Sequence, residues 1–253
     1  MKTRAETPKI TSSLVSKALL YALVAAAGNV LGAVAVTRKA VRELRVIEVL
    51  VAFGAGFMLA VAIVELLPAA LSRSGAIAPA LVLVGYLAVH LTQHTVTPHF
   101  HFGEETHPVS SIAGTSALVG LLLHTFFDGV AIASAFLVRA ELGFMVFIAI
   151  FLHKLPEGVT ISSLMLAGGR TRGRAVGAAA LLGVATLIGV VLTDELGFLV
   201  QHGLALSAGV TIYVAASNLV PEFQSKKGWQ LPAAFFAGAL VFFLTKTLLD
   251  GVS

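Results

Sequence analysis

Long apolar segments, separated by short polar ones, make up most of this chain. A membrane-spanning helix needs about 20 mostly apolar residues. Residues inside these segments do not alternate between polar and apolar, which favours helices over the strands of a membrane barrel. The pattern predicts an all-α integral membrane protein in which residues 1–253 form a single transmembrane domain. Its eight predicted spans are 14–36, 46–71, 76–93, 110–138, 141–167, 174–193, 201–222 and 230–250.

Composition narrows the class further. Charged residues make up 12% and hydrophobic residues 57% of the chain, whereas soluble domains carry about 25% charged residues. Cysteine is absent, so disulfides and thiolate metal sites are excluded. The net charge of +4 comes from basic residues in short loops. We therefore expect them to orient the protein in a lipid bilayer, and we expect no nucleic-acid partner.

The loop charges predict the orientation in the cell membrane. Basic residues cluster after spans one, five and seven, whereas the loops between them carry only Arg73 and Arg139. The positive-inside rule then puts the odd-numbered loops in the cytoplasm and both termini outside. Basic residues in the N-terminal tail oppose this orientation mildly. The clusters are Arg38, Lys39, Arg42, Arg45, Arg170, Arg172, Arg174, Lys226 and Lys227.

Two internal repeats relate antiparallel spans. AGFMLAVAIVELLP (Ala55–Pro68) matches AGVTIYVAASNLVP (Ala208–Pro221), and LHTFFDGVAIAS (Leu123–Ser134) matches LHKLPEGVTISS (Leu152–Ser163). Such inverted repeats are common in secondary transporters. We expect spans 1–3 to be related to spans 6–8, and span 4 to span 5.

The second repeat carries a candidate metal site. His124 and Asp128 are four residues apart, as are His153 and Glu157, so each pair shares one helix face. Two imidazoles and two carboxylates suit Zn²⁺, and they also accept Fe²⁺, Mn²⁺, Co²⁺ or Cd²⁺. The alternative is a polar network that only holds two helices together. Ionised groups at the bilayer centre cost about 2.5–3.5 kcal/mol each, which favours a ligand role.

Lys154 stands beside this site. It lies three residues before Glu157, so its ammonium can balance carboxylate charge. Alternatively, the side chain extends into a hydrated cavity.

The motifs LHTFFDG and LHKLPEG, with the ELLP and NLVP segments, resemble the ZIP (Zrt-, Irt-like protein) family of divalent-metal transporters. The resemblance implies eight helices, import of a divalent metal towards the cytoplasm, and often a homodimer. Many members hold a second metal beside the first. Here Thr125, Lys154 and Thr186 occupy the positions of its usual ligands. We therefore expect one ion, with Lys154 in place of a second, within a single transport domain.

Further candidates flank the four ligands. Glu65 lies near the outer end of span two, where it could attract incoming ions, and Met58, a further pathway candidate, lies two turns further in. Asn218 and Glu222 lie near the inner end of span seven, where they could receive outgoing ions. The alternative is that Glu65 is an interface or helix-end carboxylate and that Glu222 lies at a solvated helix end.

A histidine-rich loop, residues 94–109, joins spans three and four on the predicted cytoplasmic side. It contains His94, His99, His101 and His107, and such tracts often bind metals. A polar linker without metal is the alternative.

Two other function classes compete with transport. An intramembrane metal-dependent hydrolase also needs His and carboxylate ligands, but it requires an open water position and a general base. No H-E-x-x-H motif occurs in the sequence. A channel-like or sensory protein with a structural metal is the third possibility. The paired repeats favour transport, so we predict that the chain is not an enzyme.

Overall fold

Every regular element in the described part of the chain is helical. The computed structural model describes residues 12–38, 44–96, 111–224 and 226–251, without the side chains of residues 12, 13, 44, 96, 111–114 and 222. Two π-helical turns, Ala62–Leu66 and Val214–Leu219, and a 3-10 turn, Gly75–Ile77, interrupt the α-helices. The helices are α1 (Ser12–Thr37), α2 (Leu44–Val61), α3 (Leu67–Ser74), α4 (Ala78–Val96), α5 (Ser111–Val138), α6 (Ala140–Ala167), α7 (Arg172–Glu195), α8 (Gly197–Tyr213), α9 (Val220–Gln224) and α10 (Gln230–Asp250).

Seven helical stretches within the described residues are long and apolar enough to cross a membrane. The all-α, multi-pass membrane class predicted from the apolar segments is therefore confirmed. Six of the stretches coincide with predicted spans to within a few residues. The seventh, Arg45–Thr95, has 51 residues and contains both the second and the third predicted spans. An unbroken helix of that length would measure about 75 Å, far more than a bilayer is thick.

The chain reverses direction inside this long stretch. Gly75 has φ 59°, a left-handed conformation that glycine adopts without steric cost. Just before the turn, Arg73 donates to the Val200 carbonyl near the start of α8. After the turn, α4 runs along α8 until the Tyr86 hydroxyl lies 2.9 Å from that of Ser217. The stretch thus has two limbs, one on each side of Gly75.

The helices form two groups. In the first, α1 packs against α6 and α7, and α5 packs against the same two helices. In the second, α2 packs against α10, and α4 packs against α8. Large apolar side chains such as Leu20, Leu91 and Leu248 point outward, as expected of helices that face lipid. The interior of each group is largely apolar, so its few buried polar residues stand out.

Two glycines allow close helix contacts inside the first group. A Cβ atom on Gly158 of α6 would overlap the Asn29 carbonyl oxygen of α1. Likewise, a Cβ atom on Gly129 of α5 would overlap the Thr186 carbonyl oxygen of α7. Small residues let membrane helices approach this closely. Because Gly129 follows Asp128 and Gly158 follows Glu157, both contacts lie at the level of the candidate ligands.

Candidate metal centre

Helices α5 and α6 bring the four predicted ligands together. One ligand atom from each of His124, Asp128, His153 and Glu157 lies within 4.8 Å of the other three. The His124 Nε2 atom lies 3.6 Å from the Glu157 Oε1 atom, and the His153 Nε2 atom lies 3.4 Å from the Asp128 Oδ2 atom. The two helices therefore form a mixed nitrogen and oxygen cluster of the kind that binds borderline-soft divalent metals.

The cluster is buried, and several of its potential ligand atoms lack hydrogen-bond partners. All four residues are at most 5% exposed. Within the described part of the chain, His124 Nε2, His153 Nε2 and Glu157 Oε1 have no hydrogen-bond partner. Burying polar groups without partners is costly. A cation bound between these atoms would compensate them.

A backbone contact orients one of the two imidazoles. His153 Nδ1 lies 3.1 Å from the Ala149 carbonyl oxygen, which can only accept, so Nδ1 carries the proton. In the neutral imidazole, Nε2 then faces the carboxylates with its lone pair. Metal-binding histidines are commonly held this way, with the second ring nitrogen donating to a carbonyl or carboxylate.

Lys154 joins the two carboxylates from the side. Its Nζ atom lies 2.8 Å from Asp128 Oδ2 and donates a 3.0 Å hydrogen bond to Glu157 Oε2. The side chain is fully buried. The site thus combines two carboxylates with one ammonium, so its permanent charges leave one negative charge before any ion binds.

Comparison with known proteins adds independent evidence. The sequence model described as "ZIP Zinc transporter" matches residues 92–246, more than half of the chain. The chain belongs to the ZIP zinc transporter family. The matched range contains all four candidate ligands and Lys154, and the resemblance carried by the two motifs is confirmed. The prediction of a transporter rather than an enzyme is confirmed at the level of the family.

Curated relatives agree with this assignment. The chain is 32% identical to Zinc transporter foi of Drosophila melanogaster over 43% of this chain and 16% of that protein. It is 30% identical to human Zinc transporter ZIP6 over 49% of this chain and 18% of that protein. It is also 30% identical to Zinc transporter ZIP9-B of Xenopus laevis over 55% of this chain and 50% of that protein. These matches span half or less of each relative.

The family resemblance placed three residues of this chain at the positions of second-metal ligands. At two of these positions a threonine hydroxyl is already hydrogen-bonded within its own helix. The Thr125 hydroxyl donates to the Leu122 carbonyl at 3.1 Å, and the Thr186 hydroxyl donates to the Leu182 carbonyl at 3.3 Å. Each hydroxyl therefore has its hydrogen-bond acceptor within its own helix. The third such position is Lys154, whose ammonium contacts the two carboxylates.

Glu65 lies in a different ionic environment from the four ligands. It is 5% exposed, and its carboxylate forms ion pairs with Arg139 and with Lys246. Asp250 completes the group, 3.8 Å from Arg139 Nη1 and 3.1 Å from Lys246 Nζ. Glu65 is thus a paired carboxylate between helices. Its predicted role in attracting ions stays a prediction.

The other pathway candidates lie on elements other than α5 and α6, which carry the four candidate ligands. Met58 is buried on α2. Asn218 is half-buried in the second π-helical turn, and its Nδ2 atom has no partner among the described residues. Glu222 belongs to α9, but its side chain lies outside the described part of the chain.

The histidine-rich loop is described only at its start. His94 is exposed on α4, where its Nδ1 atom lies 3.0 Å from the His90 carbonyl oxygen and its ring stacks on that of His90. His99, His101 and His107 lie outside the described residues. Metal binding by this loop therefore stays a prediction.

Sequence reasoning missed two features that depend on helix packing. One is Asn29, a fully buried amide on α1; a lone amide within the apolar run AAAGNVLGAV was the available signal. The other is the partnership of Glu65 with Arg139 and Lys246. No local pattern signals it, because Lys246 is 181 residues from Glu65.

Proposed function

We propose that this ZIP-family chain carries a divalent transition metal, with zinc as the principal substrate, across the cell membrane towards the cytoplasm. The observation that carries the proposal is the buried convergence of His124, Asp128, His153 and Glu157. Ions would exchange their water for these four ligands and leave when the helices rearrange. Fe²⁺, Mn²⁺, Co²⁺ and Cd²⁺ are further candidate substrates, because the ligand set is of intermediate softness.

Eight spans with inverted repeats are part of this proposal. The two limbs around Gly75 support counting Arg45–Thr95 as two spans. The π-helical turns support the first repeat, because they contain Glu65 and Asn218, which the repeat aligns. Alternating access follows naturally from such a pair of related units around a site near the bilayer midplane.

A second set of contacts supports relating span one to span six. A Cβ atom on Gly32 would overlap the Leu155 carbonyl oxygen, and one on Gly189 would overlap the Phe126 carbonyl oxygen. Leu155 and Phe126 occupy equivalent positions in the two motifs. The Asn29 and Thr186 contacts follow the same alignment. The packing of α1 on α6 therefore corresponds to the packing of α7 on α5, which supports the repeat.

The proposed stoichiometry is one ion. Lys154 lies against both carboxylates and supplies a positive charge where a second metal would otherwise sit. A second divalent ion would have to approach this fully buried ammonium, and the repulsion between them would be strong at low dielectric.

The remaining features concern the protein's surroundings. The loop charges support an orientation with both termini outside and the histidine-rich loop 94–109 in the cytoplasm, where it would buffer delivered metal. The protein is embedded in a lipid bilayer in this proposal. A homodimer is the assembly that the family resemblance implies.

Radioactive zinc uptake into liposomes containing the purified chain tests the proposal. We expect time-dependent uptake that follows the zinc gradient and that excess unlabelled zinc suppresses. Protein-free liposomes give the background. Binding of zinc without movement, even with a gradient, would instead favour a sensory or structural metal site.

A further inference from the structure

Asn29 is a buried polar residue that the four-ligand site leaves unexplained. It lies in α1 and is fully buried. Neither its Oδ1 atom nor its Nδ2 atom has a hydrogen-bond partner within the described part of the chain. An amide held in this way costs several kcal/mol in a membrane interior. An apolar residue would avoid that cost, so an interaction with a bound species is the economical explanation.

The position of Asn29 links it to the candidate ligands. Its backbone lies against Gly158, directly after Glu157, where even a Cβ atom would not fit. One residue earlier on α1, a Cβ atom on Gly28 would lie 3.2 Å from the Lys154 Cβ atom. Helix α1 therefore passes the site at the level of Lys154 and Glu157.

The equivalent position on the other side of the site behaves differently. Thr186 contacts Gly129 as Asn29 contacts Gly158, but its hydroxyl donates to the Leu182 carbonyl of its own helix. A threonine on a helix can satisfy itself in this way. The Asn29 amide has no such contact with its own helix, so it keeps an oxygen and two N–H donors available at this level.

We propose that Asn29 is a further substrate ligand, whose amide oxygen joins the four side chains of α5 and α6 around the transported ion. This inference rests on the proposed transport function. Zinc is satisfied by four ligands, whereas an added carbonyl oxygen suits harder ions such as Mn²⁺. Asn29 would therefore set how well the site accepts Mn²⁺ relative to Zn²⁺.

Metal affinities of the full chain in detergent test the inference. We expect Asn29→Leu, which has similar volume but no polar atom, to weaken Mn²⁺ binding by about tenfold or more, the usual size of a lost supporting contact at a metal site. Zinc affinity should change much less. Asn29→Asp, which keeps an oxygen at this position, should retain Mn²⁺ binding.

Two controls separate coordination from packing. Thr186→Val removes the hydroxyl at the equivalent position and should leave the ratio of Mn²⁺ to Zn²⁺ affinity unchanged. Asn29→Ala repeats the test with a smaller side chain if the leucine variant does not fold. If the ratio of Mn²⁺ to Zn²⁺ affinity stays unchanged in the Asn29 variants, whether both affinities are kept or both fall equally, the ligand role is overturned.

The same measurements keep this inference distinct from the proposed function. If Asp128→Asn leaves zinc affinity unaltered, the four-ligand site itself is wrong. If Asp128→Asn abolishes zinc binding and Asn29→Leu preserves the metal preference, transport through the site stands and only the role of Asn29 fails.

Discussion

Two carboxylate clusters in this protein, each with at least one buried carboxylate, differ in how fully they are paired. Around Glu65 and Asp250, two carboxylates face the two cations Arg139 and Lys246, and each carboxylate contacts both. In the other cluster, Asp128 and Glu157 share the single cation Lys154.

The two clusters differ in whether their potential ligand atoms all have partners. This difference distinguishes a structural ion-pair network from a candidate binding site. The first cluster balances its own charge and links α10 and the start of α6 to the π-helical turn of the second helix group. The second cluster keeps one negative charge and two imidazoles, whose Nε2 atoms lack partners among the described residues. Burial alone therefore does not identify a site; incomplete pairing does.

We expect the largest effect from removing a proposed ligand of the cluster around Asp128 and Glu157. Asp128→Asn should lower zinc affinity by at least about 100-fold, the upper range for altered supporting contacts at metal sites. It should also abolish uptake, because the amide binds the ion more weakly and carries no charge. Isothermal titration and liposome uptake measure the two effects. Wild-type affinity in this variant would exclude Asp128 as a ligand.

Removal of the shared cation tests the charge balance directly. Lys154→Ala should destabilise the metal-free protein by about 3–5 kcal/mol, because it leaves two buried carboxylates without their partner. Zinc should restore the stability, and the bound metal should rise from one ion towards two. Thermal unfolding with and without zinc, together with metal analysis, measures both.

Lys154→Arg is the matched control, since it keeps the positive charge. We expect this variant to bind one ion, like the wild type. Two ions bound between α5 and α6 in the wild-type protein would contradict the single-ion interpretation.

We expect a smaller effect on stability from changes in the cluster around Glu65 and Asp250. Glu65→Gln should lower the free energy of unfolding by about 1–2 kcal/mol, since its partners Arg139 and Lys246 are partly exposed and solvent weakens the pairs. Zinc affinity should not change. Lys246→Gln should behave in the same way. Reduced uptake at limiting zinc with unchanged stability would instead assign Glu65 to the ion path.

The smallest effect on transport is expected from the histidine-rich loop. Replacing His99, His101 and His107 by alanine should leave the initial rate of uptake unchanged, because the four proposed ligands lie on α5 and α6. The total zinc bound per protein should fall. Complete loss of uptake would place the loop within the transport pathway.

Local sequence patterns predicted the candidate site well because its geometry is largely local. Residues four apart on a helix share a face regardless of the rest of the fold, so His124 with Asp128 and His153 with Glu157 could be paired in advance. The i and i+3 relation likewise predicted the contact between Lys154 and Glu157. The repeat then indicated that the two helices present these pairs to each other.

Other features depend on which helices become neighbours. The number of apolar segments did not reveal that α2 packs on α10, so the partners of Glu65 could not be predicted. For the same reason, the contact between Asn29 and Gly158 was missed: it joins α1 to α6 across more than a hundred residues of sequence. Asn29 looked like an isolated polar residue until the helices were placed.

By itself, the sequence determined the membrane class, the helical segments, the candidate ligand pairs and the family of this protein. These properties follow from hydropathy and from residue spacing within single helices. Only the tertiary structure decided which carboxylates are fully paired, which polar atoms stay without partners, and which helix passes beside Glu157. Those outcomes depend on the packing of helices that are distant in sequence, where a glycine or one buried side chain sets the approach of two backbones.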